Sequence, residues 1–186
     1  MSHLDGKKIA ILATHGFEQS ELETPRDRLT EAGATVHVIA PEAGEIRGWK
    51  GDDWGRPVPV DRVLSDVSAD DYNALVLPGG QINPDLLRVN EDALDFIKAI
   101  FNAGKPLGAI CHAPWLLIET GIAKDRAITS YTSIATDVKN AGGKWEDSAV
   151  VCDRALVTSR NPNDLPAFCD KMIEEIVEGR HARKAA

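Results

Sequence analysis

The sequence predicts an α/β fold: a single layered domain with a mainly parallel central sheet and helices on both faces. Three observations predict it. Short apolar runs of strand length alternate along the chain with longer segments whose apolar residues recur at helical spacing. The runs Lys8–Thr14, Ala74–Leu77 and Leu107–Ile110 are almost continuously apolar, the pattern of strands covered on both sides of a parallel sheet. A length of 186 residues, with 43% hydrophobic and 27% charged content, suits one globular domain with a substantial core.

Lys8–Thr14 is the first strand, with His15-Gly16-Phe17-Glu18 as the loop at its carboxyl end. A helix follows, in which Ser20 and Glu23 have capping-box spacing. Pro25 leaves two readings: Thr24 caps a later start, or the proline kinks a longer helix. Gly33 ends it. Thr35–Ala40 is the second strand, closed by Pro41. Residues 42–67 are rich in glycine and proline and carry Trp49 and Trp54. They read as an irregular excursion, with a β-hairpin, at the sheet edge, the two aromatics serving either a partner or packing against the body.

Ala74–Leu77 ends in Pro78-Gly79-Gly80. Asn83-Pro84-Asp85 reads as the cap and first turn of a short helix. Asn90 caps a longer helix to Asn102, and Gly104 and Pro106 stop it. Leu107–Ile110 is the central strand, followed by a sharp turn and a helix to Thr120. Ala127–Thr129 is a short strand, and Ser133 caps a helix over 134–141. Ala149–Cys152 and Ala155–Ser159 flank Asp153-Arg154 as a tight hairpin. The last helix carries one apolar stripe from Leu165 to Val177, including Cys169. Cys169 and Cys152 read as core residues. The domain core spans about 7–178, and 179–186 read as a frayed tail.

A net charge of −8 argues against a nucleic-acid-binding surface, and the short basic tail from Arg180 to Lys184 does not reverse it. No apolar run approaches a membrane span, and residues 1–8 lack the apolar core of a signal peptide, so a cytoplasmic location is expected. Three cysteines without CxxC spacing make neither a disulfide framework nor a zinc site. The five histidines lack any short metal-ligand spacing, and neither GxGxxG nor a Walker A sequence is present. No metal and no cofactor are therefore expected.

The chemistry concentrates at Leu107–Leu117, where an apolar strand stops at Cys111 and Pro114 can open a helix. Ala109 and Ala113 stand two residues before and after the cysteine, the small-residue pattern of a nucleophile elbow. A helix N-terminus there would favour thiolate. A buried core cysteine is the other reading. In α/β sheets sites form beyond the carboxyl ends of strands, and the loops 16–18, 79–80 and 111–112 all meet that rule.

Three motifs fall in order on those strand ends: Gly16-Phe17-Glu18, Val76-Leu77-Pro78-Gly79-Gly80, and Ala109-Ile110-Cys111-His112-Ala113-Pro114-Trp115. Together they resemble the PfpI family, a branch of the class I glutamine-amidotransferase-like superfamily that includes the parkinsonism-associated deglycase. The resemblance runs from about Lys8 to the end of the last helix and implies a flavodoxin-like three-layer sandwich. It implies Cys111 as nucleophile, with Glu18 within hydrogen-bond reach of the sulfur. The consistent state is then a protonated Glu18 acting as general acid, because two charges side by side would disfavour each other. It further implies that His112 completes a triad with an acidic residue of a neighbouring subunit. Asp85 holds the matching position, one methylene shorter than the glutamate common in the family. The family often has glycine where this chain has Ala113.

Gly79 and Gly80, with the His112 N–H, suit an oxyanion hole. A tight turn is their alternative, and helix charge complementarity is the alternative for Glu18 and Asp85. Tyr131 is a candidate lining residue. The expected activity is cofactor-free cysteine chemistry on a carbonyl compound: peptide hydrolysis, or conversion of 2-oxoaldehydes as a glyoxalase III or deglycase, in stress protection. A small carbonyl or peptide substrate and a homodimer or higher homo-oligomer are the expected partners. A redox sensor or chaperone using an oxidation-prone Cys111 is the rival from another class.

Overall fold

The computed structural model describes residues 3–182. Its main sheet has seven strands. β1 (Lys8–Leu12), β2 (Thr35–Ala40), β5 (Arg62–Val63), β6 (Ala74–Leu77), β7 (Leu107–Ile110), β10 (Val150–Asp153) and β11 (Leu156–Ser159) lie in the order β10-β11-β7-β6-β1-β2-β5. All pairs are parallel except β10 with β11. The three continuous apolar runs therefore sit where the absence of alternation places them, at the sheet centre with both faces covered.

Successive residues of each central strand feed two separate cores. On one face Leu75, Leu77, Leu107 and Ala109 pack with α3 (Glu91–Asn102) and α4 (Pro114–Glu119). On the other, Ile9, Ile11, Val76 and Val157 pack with α1 (Gln19–Glu31) and α6 (Leu165–Glu178). Gly108 permits close approach of α6, since a Cβ there would stand 2.7 Å from Met172 Sδ and 2.8 Å from the Phe168 ring. Asn90 caps α3 as expected, accepting the Ala93 N–H at 3.0 Å. The fold is the single-domain α/β sandwich that the pattern predicts.

Several local expectations need correction. The capping box at Ser20 and Glu23 does not form: α1 begins at Gln19, Ser20 Oγ donates to Glu18, and Glu23 pairs with Arg56 at 2.7 Å. The helix runs through Pro25, which leaves the Glu21 carbonyl without its usual donor four residues on. The excursion does form a hairpin, β3 (Glu45–Lys50) with β4 (Asp53–Pro59), as a sheet of its own, and its later part, β5, joins the edge of the main sheet beside β2. The hairpin leans on the loop after β1, where the Trp49 N–H donates to the Phe17 carbonyl at 2.6 Å.

β8 (Ala127–Ile128) pairs with β9 (Lys144–Trp145) in another small sheet, outside the main one. The late hairpin turns one residue later than expected, at Arg154 and Ala155, whose φ angles of 51° and 61° suit a tight two-residue turn. Cys169 is buried, but Cys152 is exposed, because β10 is an edge strand with Val151 turned inward and Cys152 outward. The start of the expected frayed tail is docked, with the His181 N–H donating to the Gly104 carbonyl at 2.8 Å; residues 183–186 lie outside the described residues. Among the described residues no helix is long and apolar enough to cross a membrane.

Candidate active site

Cys111 stands just past β7 with φ at 64°, a left-handed backbone that a side chain rarely adopts. Such strain persists only where its surroundings enforce it. Here the Cys111 N–H donates to the Ser159 carbonyl at 3.0 Å, and the Cys111 carbonyl accepts the Tyr131 N–H at 2.8 Å. Neighbouring segments thus hold the elbow on both sides. Ala109 and Ala113 are fully buried beside it, where larger side chains would not fit without rearrangement.

The carboxyl next to the sulfur is Glu21, not Glu18. Glu18 is the residue before α1, half-buried at the rim, and it accepts a hydrogen bond from Ser20 Oγ at 3.1 Å. Glu21 lies one turn on, in the first turn of the helix, where a side chain with this helix phase points to the core. It is fully buried on the face formed with Leu22, Pro25 and Leu29. Its Oε2 accepts the Gly79 N–H at 2.8 Å, its Oε1 has no conventional partner, and the Cys111 thiol is in polar contact with the carboxyl. Burial raises the Glu21 pKa to about 8, so the group is protonated at neutral pH. A signal for it was present in the sequence: a glutamate on an otherwise apolar helical stripe.

Burial, and then the Glu21 charge when that group ionises, push the Cys111 thiol up; the Gly80 and His112 N–H groups pull it down. The expected helix-terminus activation is outweighed, because α4 is only six residues long and the thiol is 6% exposed. Proton loss belongs to the Cys111–Glu21 pair as a unit.

Gly79 and Gly80 have different parts. The Gly79 N–H is committed to Glu21, which corrects its expected place in an oxyanion hole. The residue must be glycine because a Cβ would lie 2.6 Å from Glu21 Oε2 and 2.7 Å from Cys111 Cβ. The Gly80 N–H faces the sulfur, as does that of His112. Asn83, expected as a helix cap, is instead buried and ties two strand ends together. Its Oδ1 accepts the Thr14 N–H at 2.7 Å, and its Nδ2 donates to the carbonyls of Pro78 and Gly79.

The distorted elbow also brings His112 to its neighbour, with Nδ1 at 3.2 Å from Cys111 Sγ. Nε2 lies 3.2 Å from Ser133 Oγ, and the ring stacks on Tyr131 at 4.8 Å between centroids. Burial lowers the His112 pKa, which keeps the ring neutral. In one tautomer Nε2–H donates to Ser133 and bare Nδ1 accepts from the thiol. Ser133 therefore serves His112 rather than capping α5 (Ala135–Asn140), which starts without a side-chain cap. Asp85 is exposed on α2 (Ile82–Leu87) and is not a His112 partner within the chain.

These groups open into a cavity of about 550 Å³, lined also by Glu18, Trp49, Ile82 and Tyr131. Tyr131 is where the sequence placed it; Trp49 arrives because the β3–β4 hairpin folds over the rim. Another cleft of about 540 Å³, between Leu64–Asp70 and α3, is lined by no cysteine or histidine.

A profile of the DJ-1/PfpI family matches residues 7–175. The protein called deglycase PfpI of Pyrococcus furiosus is 41% identical over 167 residues, 90% of this chain and 98% of that one. General stress protein 18 of Bacillus subtilis is 44% identical over 165 residues, 88% and 94% of the two chains. The crystal structure of Drosophila melanogaster DJ-1beta superposes with a TM-score of 0.83 at 29% identity, covering 92% of this chain and 90% of that one.

Proposed function

The chain belongs to the DJ-1/PfpI family, and from that premise we propose that it is a cysteine-dependent enzyme that attacks small 2-oxoaldehydes, or the adducts they form, in protection against carbonyl stress. The observation that carries this reading is the buried, protonated Glu21 beside Cys111. As the sulfur bonds to the carbonyl carbon, the C=O π pair moves to oxygen and takes the Glu21 proton. The thiol proton passes to Nδ1 of neutral His112, 3.2 Å away. The Gly80 and His112 N–H groups that face the sulfur suit the developing oxyanion. The product is a hemithioacetal, with Glu21 ionised and His112 protonated, ready to exchange protons in the next step.

Aldehyde addition is favoured over peptide hydrolysis because it needs one proton on oxygen and no protonated amine leaving group. The names of the deglycase and the general stress protein among the relatives fit the same reading. The redox-sensor alternative is weakened by the burial of Cys111, since ready oxidation needs an accessible thiolate.

The second-copy triad is a separate part of the proposal. Ile82, Leu86 and Val89 are exposed at and just beyond α2, at 39%, 48% and 80%, and flank Asp85. That face suits a homo-oligomer in which Asp85 reaches the His112 of another copy. Light scattering at micromolar concentration tests it, and a monomer sinks the shared triad.

The enzymatic reading is tested by following methylglyoxal to lactate without glutathione. Turnover by the wild type and loss in Cys111→Ala are expected; no turnover, or activity that survives Cys111→Ala, overturns it.

A further inference from the structure

We propose that Glu175, Glu178 and His181 form a binding site for a divalent first-row metal ion, zinc(II) above others, which clasps the chain beyond α6 to the end of that helix. The site lies apart from the Cys111 cavity and does not depend on the chemistry proposed there. Glu175 and Glu178 are three residues apart and so share one face of α6. Gly179, with φ at 92°, then turns the chain back. The His181 N–H donates to the Gly104 carbonyl at 2.8 Å, which sets the imidazole over the last helical turn. Gly104 must be glycine for this, because a Cβ there would collide with the His181 carbonyl.

Two of the donor separations are those of a ligand set. His181 Nε2 lies 3.3 Å from Glu175 Oε2 and 3.5 Å from Glu178 Oε2. All three donor atoms lie within 4.8 Å of one another. Bonds of about 2.0–2.2 Å around a tetrahedral zinc ion put neighbouring donors about 3.3–3.6 Å apart. A charge-assisted hydrogen bond would be shorter, about 2.7–2.9 Å.

A second observation points to a ligand. Glu175 is 3% exposed, yet its Oε2, the oxygen on the His181 side, has no hydrogen-bond partner. Its Oε1 is held by Lys171 Nζ at 2.8 Å, and the Cys152 thiol lies against the same carboxyl. A buried carboxyl oxygen without a hydrogen bond is costly unless a cation meets it. Glu178 is exposed and His181 part-exposed, which gives an ion a way in and leaves a coordination position for water. One imidazole with two carboxylates suits zinc better than calcium or magnesium, which take all-oxygen shells.

The test titrates zinc(II) against a chromophoric competitor, using chelator-stripped full-length chain. Cys111→Ser is the background, so that the cavity thiol cannot bind the ion. One equivalent bound at micromolar or tighter Kd is expected, weakened at least about tenfold by either added change, Glu178→Gln or His181→Ala. Glu178 is exposed, so its substitution leaves the fold intact. Equal melting temperatures of the metal-free forms check this for both variants, and zinc should raise the melting temperature of the parent alone. Binding undiminished in both variants, or absent from the parent at micromolar zinc, overturns the proposal.

Discussion

Replacing Glu21 with glutamine tests the site through stability as well as chemistry. The carboxyl titrates at about 8 in the folded chain, against an ordinary value of 4.5, with burial as the largest cause. The folded state therefore binds this proton more tightly than the unfolded chain does. The corresponding stability is fully present below about pH 4.5 and is lost as the pH rises through about 8. At 1.36 kcal/mol per pKa unit, the loss is on the order of 3 kcal/mol by pH 7 and 5 kcal/mol at its limit. Glutamine keeps the shape and can still accept the Gly79 N–H, but it never pays the cost of a buried charge.

Urea denaturation of both proteins near pH 5, 7 and 9 reads this directly. The stability of Glu21→Gln relative to the wild type should climb with pH, by on the order of 4 kcal/mol across that range. Apart from the Cys111 thiol, which is coupled to Glu21, the other titrating groups are common to both proteins and cancel. The variant should also lose about 10²- to 10⁴-fold in kcat/KM, because the amide cannot deliver the proton. A stability difference that stays flat with pH would mean that Glu21 ionises normally, and the acid role would go with it.

Glu18→Gln is expected to leave the pH profile of Cys111 alkylation by iodoacetamide close to that of the wild type, whereas Glu21→Gln displaces it; the reverse result would return the acid role to Glu18. Ser133→Ala should cost about fivefold in kcat/KM, the worth of one neutral hydrogen bond of roughly 1 kcal/mol, with Cys111 still alkylated. An unchanged kcat/KM would show that Ser133 does not select the His112 tautomer. Gly79→Ala puts a Cβ 2.6 Å from Glu21 Oε2 and should destabilise by about 1–3 kcal/mol, measured by denaturant midpoint, while disabling the site.

The sequence by itself determined the layered architecture, because apolar strands and amphipathic helices of these lengths can bury their faces in few ways. It also determined the elbow at Cys111: the stop of an apolar run, the flanking alanines and Pro114 are all local. Asn90 as a cap and the apolar stripe of α6 were legible for the same reason.

What tertiary structure decided is which polar groups meet. Glu18 and Glu21 are a single turn apart, and only the docking of α1 on the sheet shows which carboxylate is driven inside. Its burial then reverses the thiolate expectation drawn from the helix terminus. Gly79 was expected to meet substrate and instead holds Glu21. Ser133 and Asn83 carry residue types that cap helices, and each is taken by a partner distant in sequence. Trp49 reaches the rim only through the fold of a hairpin. Backbone patterns follow from neighbours along the chain, whereas a proton's position depends on burial and on charges brought from several strand ends at once.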